Sequence, residues 1–84
     1  MRYKISLTKK AQKDLKKLSP KLLKKAKEII RNFISKQPYN GKHLLGDMKD
    51  LYSVRLSYQD RILYSIEEKE ITVHILRAKT HYGE

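Results

Sequence analysis

A cation, an imidazole and a phenol stand close together near the C-terminus, as Lys79, His81 and Tyr82 in the stretch Ala78-Lys79-Thr80-His81-Tyr82. An imidazole with an ordinary pKa of about 6.5 takes or gives a proton near neutrality. A phenol stacks on a base or donates a hydrogen bond to phosphate, and an ammonium neutralises charge. Together they point to phosphate chemistry on a nucleic acid. The bland alternative is a frayed polar tail.

Two arginines strengthen the first reading. Arg55 and Arg61 fall on strand-like segments with the opposite parity to the apolar residues around them, Tyr52, Val54 and Leu56 on one and Ile62, Tyr64 and Ile66 on the other. Both then point away from a core on the apolar side, and neighbouring strands bring them onto one surface. Guanidinium forks match phosphate oxygens bidentately and stabilise charge developing on a scissile phosphate. Otherwise they are solvated and pair with Asp60 or Glu68. Metal-free RNA cleavage needs help removing a 2′-hydroxyl proton and protonating a 5′-oxygen, and His81 is the best single candidate for one of these roles. His43 lies in an irregular segment that can approach the site, whereas His74 reads as strand surface. Asp47 and Asp50 flank Lys49 in a loop and read as solvated acids rather than an acid–base pair.

The bulk numbers agree with a polyanion partner. Twenty Lys and Arg against nine Asp and Glu give 84 residues a formal net charge of +11. Between Lys9 and Arg31 there are ten basic residues and only Asp14 and Glu28 as acids. Nucleic acid, an acidic protein and an anionic surface are the partner classes that follow. No cysteine means no disulfide and no thiolate chemistry. No compact metal-ligand pattern is present, so neither a metal nor another cofactor is expected. The apolar runs are too short to cross a bilayer. Met1-Arg2-Tyr3-Lys4-Ile5 lacks the apolar region of a secretory signal, so the cytoplasm is the expected compartment.

The elements that must position these groups are legible from periodicity. Tyr3, Ile5 and Leu7 alternate with polar residues as in a half-buried strand. Thr8 is placed to cap a helix carrying Ala11, Leu15 and Leu18. Ser19-Pro20 ends that helix and starts another, with Ser at the cap and Pro at the first helical position. Its stripe is Leu22, Ala26, Ile29 and Phe33, broadened by Leu23, Ile30 and Ile34. Gln37-Pro38-Tyr39-Asn40-Gly41 stops it. Lys42 to Asp50 reads as irregular or short-stranded. Three alternating runs follow, around Tyr52–Leu56, Ile62–Ile66 and Ile71–Ile75, joined by tight polar links as a meander. The predicted fold is a single α+β domain over residues 1–84: an N-terminal strand and a two-helix hairpin packed on one face of an antiparallel sheet with a C-terminal three-strand meander.

Taken in order, the helix hairpin, Leu44-Leu45-Gly46-Asp47-Met48-Lys49-Asp50-Leu51-Tyr52-Ser53-Val54-Arg55, Asp60-Arg61-Ile62-Leu63-Tyr64 and the closing strand give a chain that resembles the RelE/ParE superfamily of bacterial toxins from type II toxin–antitoxin pairs. The pieces DRILYSI and KTHYGE make it most similar to the Txe/YoeB branch, whose chains end in a His-Tyr pair.

The resemblance implies an mRNA interferase that cuts messenger RNA in the ribosomal A site, beside ribosomal RNA, by 2′-hydroxyl attack without metal. It places Arg61 on the scissile phosphate and puts His81 and Tyr82 in the active site. Arg55 and Lys79 fall on basic family positions, with Lys42 and Lys49 as further contacts to RNA or ribosome. One departure stands out. The branch's candidate general base is a glutamate shortly before its second strand, and the matching region here reads Gly41-Lys42-His43-Leu44-Leu45. His81 is the favoured proton-transfer residue and His43 the runner-up. Lys42 is a third candidate, provided nearby positive charge lowers its pKa. The resemblance further implies a cognate acidic antitoxin, with Leu22, Leu23 and Phe33 as docking candidates, and assembly as a homodimer or a toxin–antitoxin hetero-oligomer. Two alternatives are a ParE-like toxin acting on DNA gyrase and an inactive antitoxin-binding co-repressor module.

Overall fold

The computed structural model describes residues 2–44, 46 and 50–78. Strand β1 (Lys4–Leu7) leads into helix α1 (Lys9–Lys16) and helix α2 (Pro20–Ile29). Four strands follow: β2 (Lys42–His43), β3 (Leu51–Arg55), β4 (Arg61–Glu67) and β5 (Thr72–Arg77). The sheet order is β1-β5-β4-β3-β2. The meander β3-β4-β5 is antiparallel, as is the short β2 beside β3. β1 joins the far side of β5 in parallel, with Ile5 opposite Val73 and Leu7 opposite Ile75. The predicted strand, hairpin and meander are all present. The parallel pairing of the first and last strands is the feature that local periodicity does not report.

Both helix starts form as their sequences dictate. The Thr8 hydroxyl oxygen accepts from the Ala11 amide at 3.0 Å and donates to the Leu76 carbonyl at 3.0 Å, so one side chain caps α1 and ties it to β5. Ser19 caps α2 by accepting from the Leu22 amide at 3.3 Å, with Pro20 at the first turn. Lysines in the last turns of both helices meet the partial negative charge there.

The second helix departs from the predicted stripe. After Ile29 the backbone widens into a π-helical turn over Ile30–Ile34, with the Ser35 amide donating to the Ile30 carbonyl at 2.9 Å. The extra residue in that turn rotates the buried line. Ala26, Ile30 and Ile34 become its centre, while Leu22, Leu23, Ile29 and Phe33 flank it half-buried. The Ser35 hydroxyl donates to the Arg31 carbonyl across the same turn.

Beneath the helices lie Ile62, Tyr64, Val73 and Ile75, all fully buried, joined by Leu56. Burying each such side chain contributes roughly 1.5–3 kcal/mol. A bulge between β4 and β5 leaves Leu76 as the extra residue, since Tyr64 pairs with Ile75 and Leu63 with Arg77. Ile71 takes a left-handed φ of 47° in the turn before β5. This is a costly conformation for a β-branched residue, and the Lys4 amide helps hold it by donating to its carbonyl at 2.8 Å.

The chain enters β2 under a tight constraint. The buried Tyr64 hydroxyl donates to the Pro38 carbonyl at 2.6 Å. A Cβ at Gly41 would sit 2.1 Å from that hydroxyl oxygen. Gly41→Ala is therefore expected to destabilise the fold by about 1–3 kcal/mol in denaturant unfolding. In a Tyr64→Phe background the added penalty should shrink. An equal penalty in both backgrounds would show that the hydroxyl is not the obstacle.

Candidate nucleic-acid interface

The β3–β4 turn positions the arginines. Ser57 and Asp60 hold each other reciprocally: the Ser57 hydroxyl donates to the Asp60 carboxylate at 3.0 Å, and the Asp60 amide donates to the Ser57 hydroxyl oxygen at 3.1 Å. The Leu56 amide donates to the Asp60 carbonyl at 2.8 Å and closes the hairpin. With the turn fixed, Arg55 and Arg61 are direct cross-strand partners. Asp60 is buried against Ser57, Glu68 bonds the phenols of Tyr3 and Tyr39, and among the described residues no carboxylate forms an ion pair with either arginine. Like charges directly opposite on a sheet repel, so this pair is poised for an anion.

A depression of about 360 Å³ adjoins the pair at the edge where β2 stops short of Arg55. Lys42 and Ser53, themselves cross-strand partners, line it together with Phe33 and Gly41. The Ser53 side chain is 2% exposed, and its hydroxyl has no hydrogen-bond partner among the described residues. A buried hydroxyl left unpaired costs free energy, and here it lines a cationic depression. Sequence reasoning passed over Ser53, although its parity with Arg55 could have marked it.

The other predicted site residues fall as follows. Lys42 shares the arginine face, because it pairs with Ser53. His43 pairs with Tyr52 and so lies on the opposite face. Its ring stacks on Tyr52 at 4.6 Å between centroids and 13° between planes. Phe33 reaches the arginine depression, Leu23 lines a shallow basic depression on α2, and Leu22 is half-buried beside the core. Lys49, Lys79, His81 and Tyr82 lie outside the described residues. His74 bonds Glu67 at 2.8 Å on the sheet surface. Among the described residues no cluster of His, Asp and Glu could hold a metal ion, and no helix is long and apolar enough to cross a membrane.

The departure point of the last segment is nevertheless fixed. Asp14 of α1 is buried and accepts from Arg77 Nε at 2.7 Å, from its terminal nitrogen at 3.3 Å and from the Ala78 amide at 3.1 Å. The carboxylate raises the Arg77 guanidinium above its ordinary range, mainly through this hydrogen bond. The β5 bulge sets Arg77 opposite Leu63, one pairing step beyond Ile75.

A second cluster occupies the helix-side face at the β2 edge. Tyr64, Tyr52 and His43, one from each of three adjacent strands, stack in a row. Tyr39 stands edge-on to Tyr52 at 5.8 Å and 85°. The phenols of Tyr39 and Tyr3 both donate to the Glu68 carboxylate. The bond to Glu68 pushes the Tyr39 hydroxyl up to about 12, and the same two phenols, Tyr39 first, hold Glu68 below the usual 4.5. Burial pushes Tyr64 up to about 12.

A two-helix layer over this mixed sheet is the topology of the RelE-like toxins. The chain belongs to the ParE-like toxins of type II bacterial toxin–antitoxin systems, whose family model matches residues 5–83. It is similar to the toxin RelG of Mycobacterium tuberculosis, 35% identical over 78 residues that span 92% of this chain and 88% of the relative. Its structure resembles the toxin–antitoxin complex RelBE2 of the same organism, with a TM-score of 0.85, 32% identity, and 94% and 98% of the two chains covered. The YoeB/ParE toxin of Agrobacterium tumefaciens shares the fold at a TM-score of 0.83 and 22% identity over 94% and 99%. RelE-named and YoeB-named structures thus align about equally well, and the membership is in the superfamily as a whole.

Two outcomes follow. Asp14→Ala should cost about 2 kcal/mol, since it strands Arg77 and a buried amide; a loss under 0.5 kcal/mol would show that the contact is idle. The Glu68 carboxyl has a depressed folded pKa, so its contribution is present above the unfolded value of 4.5 and is lost as pH falls through the lower folded value. The stability difference between wild type and Glu68→Gln should therefore hold steady between about pH 6 and 9 and shrink in acid. A constant difference in thermal scans down to about pH 3 would contradict the assignment.

Proposed function

We propose that this chain is the toxin of a type II pair and acts as a metal-free endoribonuclease on messenger RNA at the ribosome. The observation that carries the reading is the Arg55–Arg61 pair, which is set directly across two strands without a carboxylate partner among the described residues. Family membership supports the toxin role. In the proposed reaction the RNA 2′-oxygen attacks phosphorus and the bond to the 5′-oxygen breaks, leaving a 2′,3′-cyclic phosphate and a 5′-hydroxyl. Arg61, aided by Arg55, stabilises charge on the non-bridging oxygens. His81 transfers a proton, Tyr82 orients the RNA, and Lys42, Lys49 and Lys79 contact its backbone or the ribosome. The position of Lys42 on the arginine face supports that role. The opposite placement of His43 favours His81 over it for proton transfer.

The His81-Tyr82 ending supports a YoeB-like variant of this reading, while the relatives above 30% identity carry RelE-type names. The partner is an acidic antitoxin, since the related RelBE2 structure is a toxin–antitoxin complex. A groove of about 450 Å³ between β1 and α2, apolar at Ile5, Leu7, Leu15 and Ile30 and basic at Arg2, Lys27 and Arg31, suits such a chain. It lies along the β1 edge, beside rather than on Leu22 and Leu23. The ParE-like family description favours one second reading, inhibition of DNA gyrase without cleavage.

The test is tightly controlled expression with mapping of messenger RNA 5′ ends. Phased cuts are expected from the wild type. Arg61→Ala and His81→Ala should each reduce them by roughly 100-fold or more. Growth arrest with intact RNA and damaged DNA would replace this reading with the gyrase one.

A further inference from the structure

The second aromatic cluster has no part in the proposed cleavage. Tyr64 is buried in β4, Tyr52 lies 5.8 Å from it at 19°, and His43 lies 4.6 Å further at 13°. The three near-parallel rings step outward strand by strand and end at an exposed residue on the edge strand. The last ring of the row, His43, is exposed and turns one face to solvent. Tyr39, 50% exposed, forms a wall at right angles to the stack, and its hydroxyl is anchored by Glu68. Tyr39, His43 and Tyr52, with Asp50 and Ile66, line a cleft of about 450 Å³.

We propose that this cleft is a stacking site for one unpaired nucleobase of a single-stranded RNA, with His43 as the platform. Aromatic rings bind bases through their faces, with little demand on sequence. Asp50 supplies an acceptor for an exocyclic amino group, so adenine, cytosine and guanine fit better than uracil. The adjacent residue, Lys42, faces the arginine depression on the other side of the same edge. An RNA strand with one phosphate at Arg55, Arg61 and Lys42 crosses the β2 edge and turns a neighbouring base into the cleft. His43 is then a positioning residue for RNA, with no share in proton transfer. The inference rests on the RNA-binding part of the proposed function and not on cleavage.

The probe is a single-stranded oligonucleotide with 2′-O-methyl sugars, which cannot undergo 2′-hydroxyl attack, carrying one 2-aminopurine; its control has an abasic residue at that position. Wild-type protein should quench the 2-aminopurine and bind the base-containing strand more tightly than the abasic one. His43→Ala should lose the quenching and roughly 5- to 150-fold in affinity for the base-containing strand only. His43→Phe should keep both, and Arg61→Ala should weaken both strands alike. Unquenched 2-aminopurine at saturating wild-type protein, or equal affinities for wild type and His43→Ala, would overturn the platform. Messenger RNA cleavage without quenching would sink this site and spare the interferase reading, and quenching without cleavage would do the reverse.

Discussion

The hydroxyl of Tyr64 makes the bond on which both faces of the β2 edge depend. It is buried in the middle of the sheet, yet it bonds a carbonyl of the segment that carries the chain from the helices to the edge strand. A buried hydroxyl without a partner costs about 1–3 kcal/mol, so the path through Pro38 is held where that bond forms. Gly41 follows because no side chain fits beneath the ring. From there Lys42 and His43 leave on opposite sides of β2. One joins the arginines and the other joins the aromatic row.

Among the described residues, the acids that hold side-chain partners are committed away from the arginine pair. Asp14 is committed to Arg77 and the Ala78 amide, Asp60 to Ser57, Glu67 to His74, and Glu68 to two phenols. Each fixes a turn, a strand end or an aromatic wall. The two arginines repel each other across the strands, and the fold tolerates this because the core beneath them, at Ile62, Tyr64, Val73 and Ile75, is fully buried.

The edge strand is short, and that matters as much as what it carries. β2 spans two residues and begins only at the register of Ser53, short of Arg55, beside the depression that Lys42 and Ser53 line. The π-helical turn contributes from the other side. By rotating Ile30 and Ile34 into the core, it leaves Phe33 at the flank, where it closes the depression.

Local chemistry in the sequence determined much of this. Alternation alone identified the meander and put Arg55 and Arg61 on a common side, because side-chain direction in a strand has a period of two residues. Thr8, Ser19 and Pro20 marked both helix starts, because capping is satisfied within a few residues. Tertiary structure decided the rest. The parallel β1–β5 pairing joins residues more than sixty positions apart, and no local pattern encodes it. The bulge at Leu76 and the grip of Asp14 on Arg77 arise only once β5 meets α1. Which of the adjacent residues Lys42 and His43 joins the arginine face depended on which of them pairs with Ser53. Register is set by long-range packing, and a single step of register exchanges the two faces of a strand.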